Sequence, residues 1–276
     1  MAHHTITTSE KEVFDQQGFL VVRQVFSAEE VLAIKDRLAY WISRALSGLK
    51  EGQKPEGDTV SCEGVLVQLE PLVAQGKVSV SDPLKAARKI WNFVAPDAFF
   101  WKIASDPRLL DRVAALLGPD IKLYADKALL KPPEIGVEKP WHQDAPYFAI
   151  EPKENAHVAA WIALDKATKE NGCMEYLPGS HRWGNLTTTT TDTYGLGHLA
   201  ADATQLDTSQ AVTVEADPGD VVFHEGMVLH YSGPNRSPQP RWALIFDYVS
   251  ARCRYTGPEP KPSYPLLRGK EYPDGL

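Results

Sequence analysis

Pro218-Gly219-Asp220-Val221-Val222-Phe223-His224, then His230-Tyr231-Ser232-Gly233-Pro234-Asn235, then Arg241-Trp242-Ala243-Leu244-Ile245-Phe246 is the stretch that decides how this chain folds. Pro218-Gly219-Asp220 is a turn that starts an extended run. His230 lies on the next extended segment, and Arg241 opens an apolar strand that continues through Phe246. Short apolar runs broken by Pro, Gly and Asn mark an antiparallel sandwich or barrel, and this texture begins after Ile121. Upstream the pattern is different. A helix is expected from Thr8 to Gln17, with Ser9-x-x-Glu12 as a capping box, followed by a short buried strand over Gly18–Val22. Ser27-x-x-Glu30 opens a long amphipathic helix to about Leu46, with Val31, Ile34, Leu38 and Ile42 along one face. Another helix starts at Asp106-Pro107 and stops at Gly118-Pro119. Lys50–Asp58 reads as a Gly/Pro/charged loop. A longer polar connection over about 182–210, Thr-rich at 187–193, reads either as a lid or as a solvated loop. The expected organisation is one domain over 1–276, mainly β, with helices of about 8–117 packed on a β-core of about 121–256.

The core carries a chemical pattern. His142-Gln143-Asp144 is answered 88 residues later by His230, and 11 residues after that by Arg241. Ligands at i and i+2 of a strand point to one face, so His142 and Asp144 are expected to grip one metal while Gln143 turns away. His230 from a distant strand completes a face of two histidines and one carboxylate. That set leaves half an octahedron open, the geometry of non-haem iron(II) oxygenases. His224 competes with His230 as the distal ligand but lacks a following Ser and Arg at comparable spacing. His157 and His198 have no such context and are expected at the surface.

Around these residues the chain resembles the phytanoyl-CoA dioxygenase family of Fe(II)/2-oxoglutarate oxygenases. The resemblance is carried in order by Lys131-Pro132-Pro133, Trp141-His142-Gln143-Asp144, Trp161-Ile162-Ala163-Leu164-Asp165, Glu170-Asn171-Gly172-Cys173-Met174, Leu177-Pro178-Gly179-Ser180-His181, His230-Tyr231-Ser232 and Arg241, and spans roughly Phe14 to Tyr248. It implies a double-stranded β-helix (jelly-roll, cupin-like) core, Fe(II) as the metal, and 2-oxoglutarate and O2 as cosubstrates. It implies that Arg241 clasps the distal C5 carboxylate of 2-oxoglutarate with two parallel hydrogen bonds, joined by the Ser232 hydroxyl. Lys89 matches an upstream lysine that reaches the cosubstrate, with Arg88 competing for that place. Lys127 stands where relatives often carry an uncharged residue, so either a cosubstrate contact or a salt bridge is expected there. Trp161 reads as site-lining or as core, and Gln143 is counted among the cosubstrate contacts. His181 reads as part of a structural turn. Relatives that halogenate lack the carboxylate held here by Asp144, so hydroxylation of an aliphatic C–H is the expected outcome, with desaturation, epoxidation and ring formation open. Two rivals fit part of the pattern: a cupin-like zinc hydrolase or isomerase, and a non-catalytic jelly-roll binding protein.

Bulk properties narrow the partners. A net charge of −7 over 276 residues disfavours duplex nucleic acid. Three scattered cysteines make no disulfide framework, so reduced thiols and a cytoplasmic protein are expected. Met1–Glu10 is polar, no apolar run approaches a membrane span, and Asp274-Gly275-Leu276 is not a peroxisomal address. Aromatics near the motif, among them Trp141, Tyr147, Phe148 and Trp183, point to an apolar pocket for a small organic molecule.

Overall fold

The computed structural model describes residues 5–47, 57–191, 198–201 and 206–276. Its helices are α1 (Thr8–Gln17), α2 (Ala28–Ser47), the single turns α3 (Pro71–Ala74) and α4 (Pro83–Ala86), α5 (Ala98–Ala104) and α6 (Pro107–Leu117). The strands are β1 (Phe19–Val22), β2 (Thr59–Cys62), β3 (Val65–Leu69), β4 (Ala87–Trp91), β5 (Ile121–Lys131), β6 (Lys139–His142), β7 (Ile150–Glu151), β8 (His157–Ala163) and β9 (Met174–Tyr176). They continue as β10 (Thr188–Thr191), β11 (His198–Ala201), β12 (Val212–Val214), β13 (Val221–Glu225), β14 (His230–Ser232), β15 (Arg241–Ser250), β16 (Arg254–Tyr255) and β17 (Leu266–Arg268).

Two antiparallel sheets form the jelly-roll core. The larger has the order β1-β13-β8-β15-β5-β4-β3-β2, with β17 also paired to β5; the smaller has the order β12-β9-β14-β6. Helices were expected over about 8–117 beside one short strand at Gly18–Val22; that strand is β1, and it lies in the larger sheet together with β2 to β4, while β17 joins from beyond residue 256. β2 to β4 are short and flanked by turns, so their hydrophobic period of two covers too few residues to stand out.

Two capping boxes close the main helices. At α2, Ser27 N–H donates to Glu30 (2.8 Å) and Glu30 N–H donates to Ser27 Oγ (3.3 Å), as read from the sequence. At α1 the box is shifted by two residues: Thr7, not Ser9, is the N-cap, and Glu10 returns the bond. Both motifs fit the Ser/Thr-x-x-Glu form, and the one at Thr7 is used.

Alternation along the strands sorts side chains into two layers. Trp242, Leu244, Phe246 and Tyr248 of β15 join Val31, Ile34, Leu38 and Ile42 of α2 and Leu109 and Val113 of α6 in one apolar cluster. Ala243 and Ile245 face the other way, toward the smaller sheet, with Trp161, Val222, Met174 and Tyr176. Arg241 and Asp247 share that inner parity, as do Lys127 and Lys131 of β5 and His224 of β13. Burying both faces of β15 is what makes its sequence read as an unbroken apolar run.

The 182–210 connection is not structureless. Thr188–Thr191 pairs with His198–Ala201 as a hairpin, and Ala201 joins Leu177 and Leu229 in an apolar cluster beside Trp141 and Leu186. Residues 192–197 and 202–205 of this connection, read from the sequence as a lid or a solvated loop, lie outside the described residues, as do His3-His4 and most of the 50–58 loop.

Gly219 closes the turn before β13. Its φ is +92°, its carbonyl accepts from Val25 and Phe26 N–H, and an added Cβ would sit 2.1 Å from the Phe26 carbonyl oxygen. Gly64 in the β2–β3 turn also has a positive φ, +86°, but faces open space. Gly64→Ala is therefore expected to cost about 1–2 kcal/mol from backbone strain alone, and Gly219→Ala distinctly more. Urea-unfolding midpoints for the two variants measure the difference. Equal losses would mean that the β1–α2 link is free to move away from the turn.

Candidate metal centre

His142 ends β6 and His230 begins β14, and the two are register partners across the smaller sheet. Their ring centroids lie 4.1 Å apart. Each ring is oriented by its own strand: His142 Nδ1 lies 2.8 Å from the Pro140 carbonyl and His230 Nδ1 lies 3.0 Å from the Val228 carbonyl. A carbonyl only accepts, so Nδ1 carries the hydrogen in both rings and Nε2 offers a lone pair.

Asp144 arrives differently from the sequence expectation. β6 ends at His142, and Asp144 has helical dihedrals (φ −79°, ψ −41°) at the start of a 3-10 turn over Ala145–Tyr147. A turn, not strand alternation, brings its carboxylate to the two rings. Ala145 N–H donates to the Gly226 carbonyl (2.9 Å) and anchors that turn. Asp144 Oδ1 then lies 3.5 Å from His142 Nε2 and 3.9 Å from His230 Nε2. One ligand atom from each of the three residues falls within 4.8 Å of the others, an arrangement that can hold a metal ion.

The electrostatics suit a cation. Burial pushes both imidazoles toward the neutral form that metals require, His230 well below its ordinary value. Burial opposes ionisation of Asp144 too, but Lys127 and the neighbouring imidazoles outweigh it and hold the carboxyl well below the usual range. The outer oxygen of Asp144 has its own neighbour. His224 Nε2 lies 3.4 Å from Oδ2, and His224 Nδ1 lies 3.1 Å from the hydroxyl of Tyr176, whose ring stacks on Phe19 at 4.6 Å between centroids. His224 is thus beside the group of three and bound to one of its members, not a substitute for His230.

The inner face of the larger sheet supplies cations. Arg241 is 1% exposed; its Nη2 donates to the Gly172 carbonyl at 2.9 Å, while Nε and Nη1 have no hydrogen-bond partner among the described residues. Its guanidinium carbon lies 5.8 Å from the Trp161 ring, whose buried Nε1 likewise has no partner among them. Burial lowers the Arg241 pKa to about 10, which leaves it charged at neutral pH. Unpaired buried donors each cost about 1–3 kcal/mol, so this neighbourhood is built to receive an acceptor. Ser232, buried two residues after His230, shares that residue's face of β14.

The other sequence candidates have nearer partners. Lys127 makes a salt bridge to Asp247 at 2.9 Å, and Lys89 lies over the Trp91 ring at 4.6 Å. The Gln143 amide is fully used: its nitrogen donates to the Gly184 and Met227 carbonyls, and its oxygen accepts from Leu186 N–H. Gln143 thereby ties the motif to two other segments. His157, expected at the surface, is fully buried and lies 3.1 Å from Asp247. Asp247 and Tyr176 went unnoticed in the sequence. A single carboxylate inside the apolar run Phe246-Asp247-Tyr248 was the available signal for the first.

The comparisons with known proteins agree with this geometry. The phytanoyl-CoA dioxygenase (PhyH) family profile matches residues 14–243. A phytanoyl-CoA dioxygenase domain-containing protein 1 homolog of Dictyostelium discoideum is 34% identical over 259 residues, covering 88% of this chain and 91% of the relative. A probable phytanoyl-CoA dioxygenase of Caenorhabditis elegans is 29% identical, covering 92% of this chain and 79% of the relative. The structure of EvdO2 from Micromonospora carbonacea var. aurantiaca complexed with 2-oxoglutarate is similar at 27% identity and a TM-score of 0.61, over 92% of this chain and 95% of that one. A profile match running from α1 into β15 is too extensive for a shared fold alone, and the chain belongs to the phytanoyl-CoA dioxygenase family, the iron- and 2-oxoglutarate-dependent oxygenases.

Proposed function

We propose that His142, Asp144 and His230 hold the iron(II), that Arg241 anchors 2-oxoglutarate, and that the chain hydroxylates an aliphatic C–H of a small organic molecule. The observation that carries this reading is the buried Arg241, with two guanidinium nitrogens left without a partner among the described residues, on the face of the larger sheet turned toward the smaller sheet that carries His142 and His230. A zinc hydrolase would have no use for them. Bound at the three ligands, iron with dioxygen and 2-oxoglutarate supplies the oxidising power, and the cosubstrate leaves as succinate and CO2.

The chain's residues divide the remaining work. Arg241 receives the C5 carboxylate, with Trp161 Nε1 and the Ser232 hydroxyl as further donors. Lys89 is the candidate for the cosubstrate's other end, and Lys127 serves mainly to keep Asp144 and Asp247 ionised. The full use of the Gln143 amide by three backbone groups supports a bracing role over a direct cosubstrate contact. His224 positions Asp144: with the Tyr176 hydroxyl donating to Nδ1, the Nε2 hydrogen is directed at Oδ2, which leaves Oδ1 to the metal. A carboxylate that binds through one oxygen keeps the open positions open. We also infer a reduced cytoplasmic setting, supported by three free cysteines, two of them buried. No described helix is long and apolar enough to cross a membrane.

Asp144→Ala should abolish turnover and lower iron occupancy; full activity in that variant would sink the metal assignment. Arg241→Leu should retain iron but raise the 2-oxoglutarate KM roughly thirty-fold or more, since truncating one member of a buried charge pair costs about 2–5 kcal/mol. Arg241→Lys should recover only part, because a point charge cannot make the two-pronged contact. A 2-oxoglutarate KM within about two-fold of wild type in Arg241→Leu points instead to Lys89 or Lys127 as the anchor. His224→Leu should weaken metal binding about 10–100-fold, with Tyr176→Phe intermediate, as read by Co(II) titration without cosubstrate. Unchanged Co(II) affinity in both would remove the positioning role.

A further inference from the structure

We propose that Lys131 is a positioning residue for the distal carboxylate of the cosubstrate: it clamps the connection that joins Ser232 to Arg241 and so fixes both donors. This rests on the Arg241 reading above and adds the residue that sets where Arg241 points. Lys131 ends β5, is 6% exposed and is the register partner of Arg241. Side chains paired in this way on antiparallel strands start about 5 Å apart, and like charges so placed repel. Lys131 turns its charge to the backbone instead. Its Nζ donates to the carbonyls of Val137 (2.7 Å), Gly233 (2.6 Å) and Ser232 (3.3 Å).

Three acceptors use all three hydrogens of an ammonium, whereas a neutral amine has only two to give. Burial, with Arg241 and Arg88, pushes this group well below its ordinary pKa, and Glu70 and Glu138 oppose them. The three carbonyls favour the charged form as well, since each accepts from it.

The clamp reaches Arg241 along two paths. The first is the 233–240 connection. The Lys131 ammonium holds its start at Gly233, and the Lys131 carbonyl accepts from Asn235 Nδ2, which also donates to the Gln239 carbonyl two residues before Arg241. One lysine thus grips the connection with its side chain and again with its backbone. The second path is Gly172, whose carbonyl accepts from Arg241 Nη2. Gly172 has a φ of +80°, and a Cβ there would lie 2.2 Å from the Gly233 carbonyl oxygen and 3.0 Å from Lys131 Cδ. The acceptor that aims Arg241 is therefore packed against the carbonyl and the methylene stem that Lys131 places. With Nη2 held in this way, Nε and Nη1 are left for the two-pronged contact.

The test titrates the anaerobic Fe(II) enzyme with 2-oxoglutarate and with pyruvate, following the visible charge-transfer band. Pyruvate keeps the 2-oxo acid head and lacks the distal carboxylate. Co(II) affinity is measured alongside with neither acid present. Lys131→Met should weaken 2-oxoglutarate about ten-fold or more, as expected when buried carbonyls lose their donor. Pyruvate and Co(II) affinities should stay within about two-fold of wild type. Lys131→Gln, with two hydrogens for three carbonyls, should fall between, and it carries the test if the methionine variant does not fold. With Lys131→Met and Arg241→Leu combined, 2-oxoglutarate should bind within about three-fold of Arg241→Leu alone, because the same carboxylate contact is lost only once. The role is overturned if pyruvate and Co(II) affinities fall as far as that for 2-oxoglutarate, if 2-oxoglutarate affinity is unchanged, or if the two losses add in the double variant. Arg241→Leu by itself reports on the underlying reading. No loss there removes the anchor, whereas a loss there with none in Lys131→Met overturns the positioning role alone.

Discussion

Everything at the centre of this protein depends on the strict alternation of side chains along β15 and its neighbours. Trp242, Leu244, Phe246 and Tyr248 fasten the larger sheet to α2 and α6, which leaves Arg241, Ala243, Ile245 and Asp247 facing the smaller sheet. A slip of one residue would send Arg241 into the helix layer and Leu244 into the site. The apolar cluster beneath the helices therefore does more than stabilise the fold. It sets the register that decides which groups face His142, Asp144 and His230.

The space between the sheets holds many charges for so buried a region, and most are matched. Asp247 lies between Lys127 and His157, Lys131 donates to three backbone carbonyls, and Asp144 sits among Lys127, His142, His230 and His224. Groups that are matched hold one another in place. Among the described residues Arg241 Nε and Nη1 and Trp161 Nε1 have no partner, as do both Glu70 carboxylate oxygens and His157 Nδ1, and in a well-packed interior each such group calls for an explanation. Placing the Trp161 and Arg241 donors on β8 and β15, each flanked by a strand on both sides, gives them a rigid frame, with Arg241 itself held in register by Lys131 of β5.

The backbone supplies the rest of the order. Pro140 and Val228 carbonyls select the tautomer of the two histidine ligands, and Gly226 holds the turn that presents Asp144. Gln143, between the two motif ligands, reaches out to segments at 184–186 and 227, so that the loops around the site are tied to the motif itself.

The sequence by itself determined the type of core and singled out three side chains that the fold brings together. His142, Asp144 and His230 stood out because metal chemistry demands particular side chains, and the apolar runs after Ile121 were legible because turn residues interrupt them. The helices were readable from capping boxes, although Thr7 rather than Ser9 caps α1, since a box motif does not say which copy is used. Only the tertiary structure decided the rest. That β1 to β4 complete the larger sheet follows from long-range pairing with β13 and β5, which no local pattern encodes. That Asp144 reaches the two imidazoles through a turn depends on the Gly226 carbonyl, 82 residues further along the chain. That His224 meets Asp144, that His157 is buried against Asp247, and that Gln143 braces loops rather than turning idle are outcomes of which strands lie side by side. Side-chain chemistry is carried by each residue alone, whereas burial, charge pairing and orientation belong to the neighbours that folding brings.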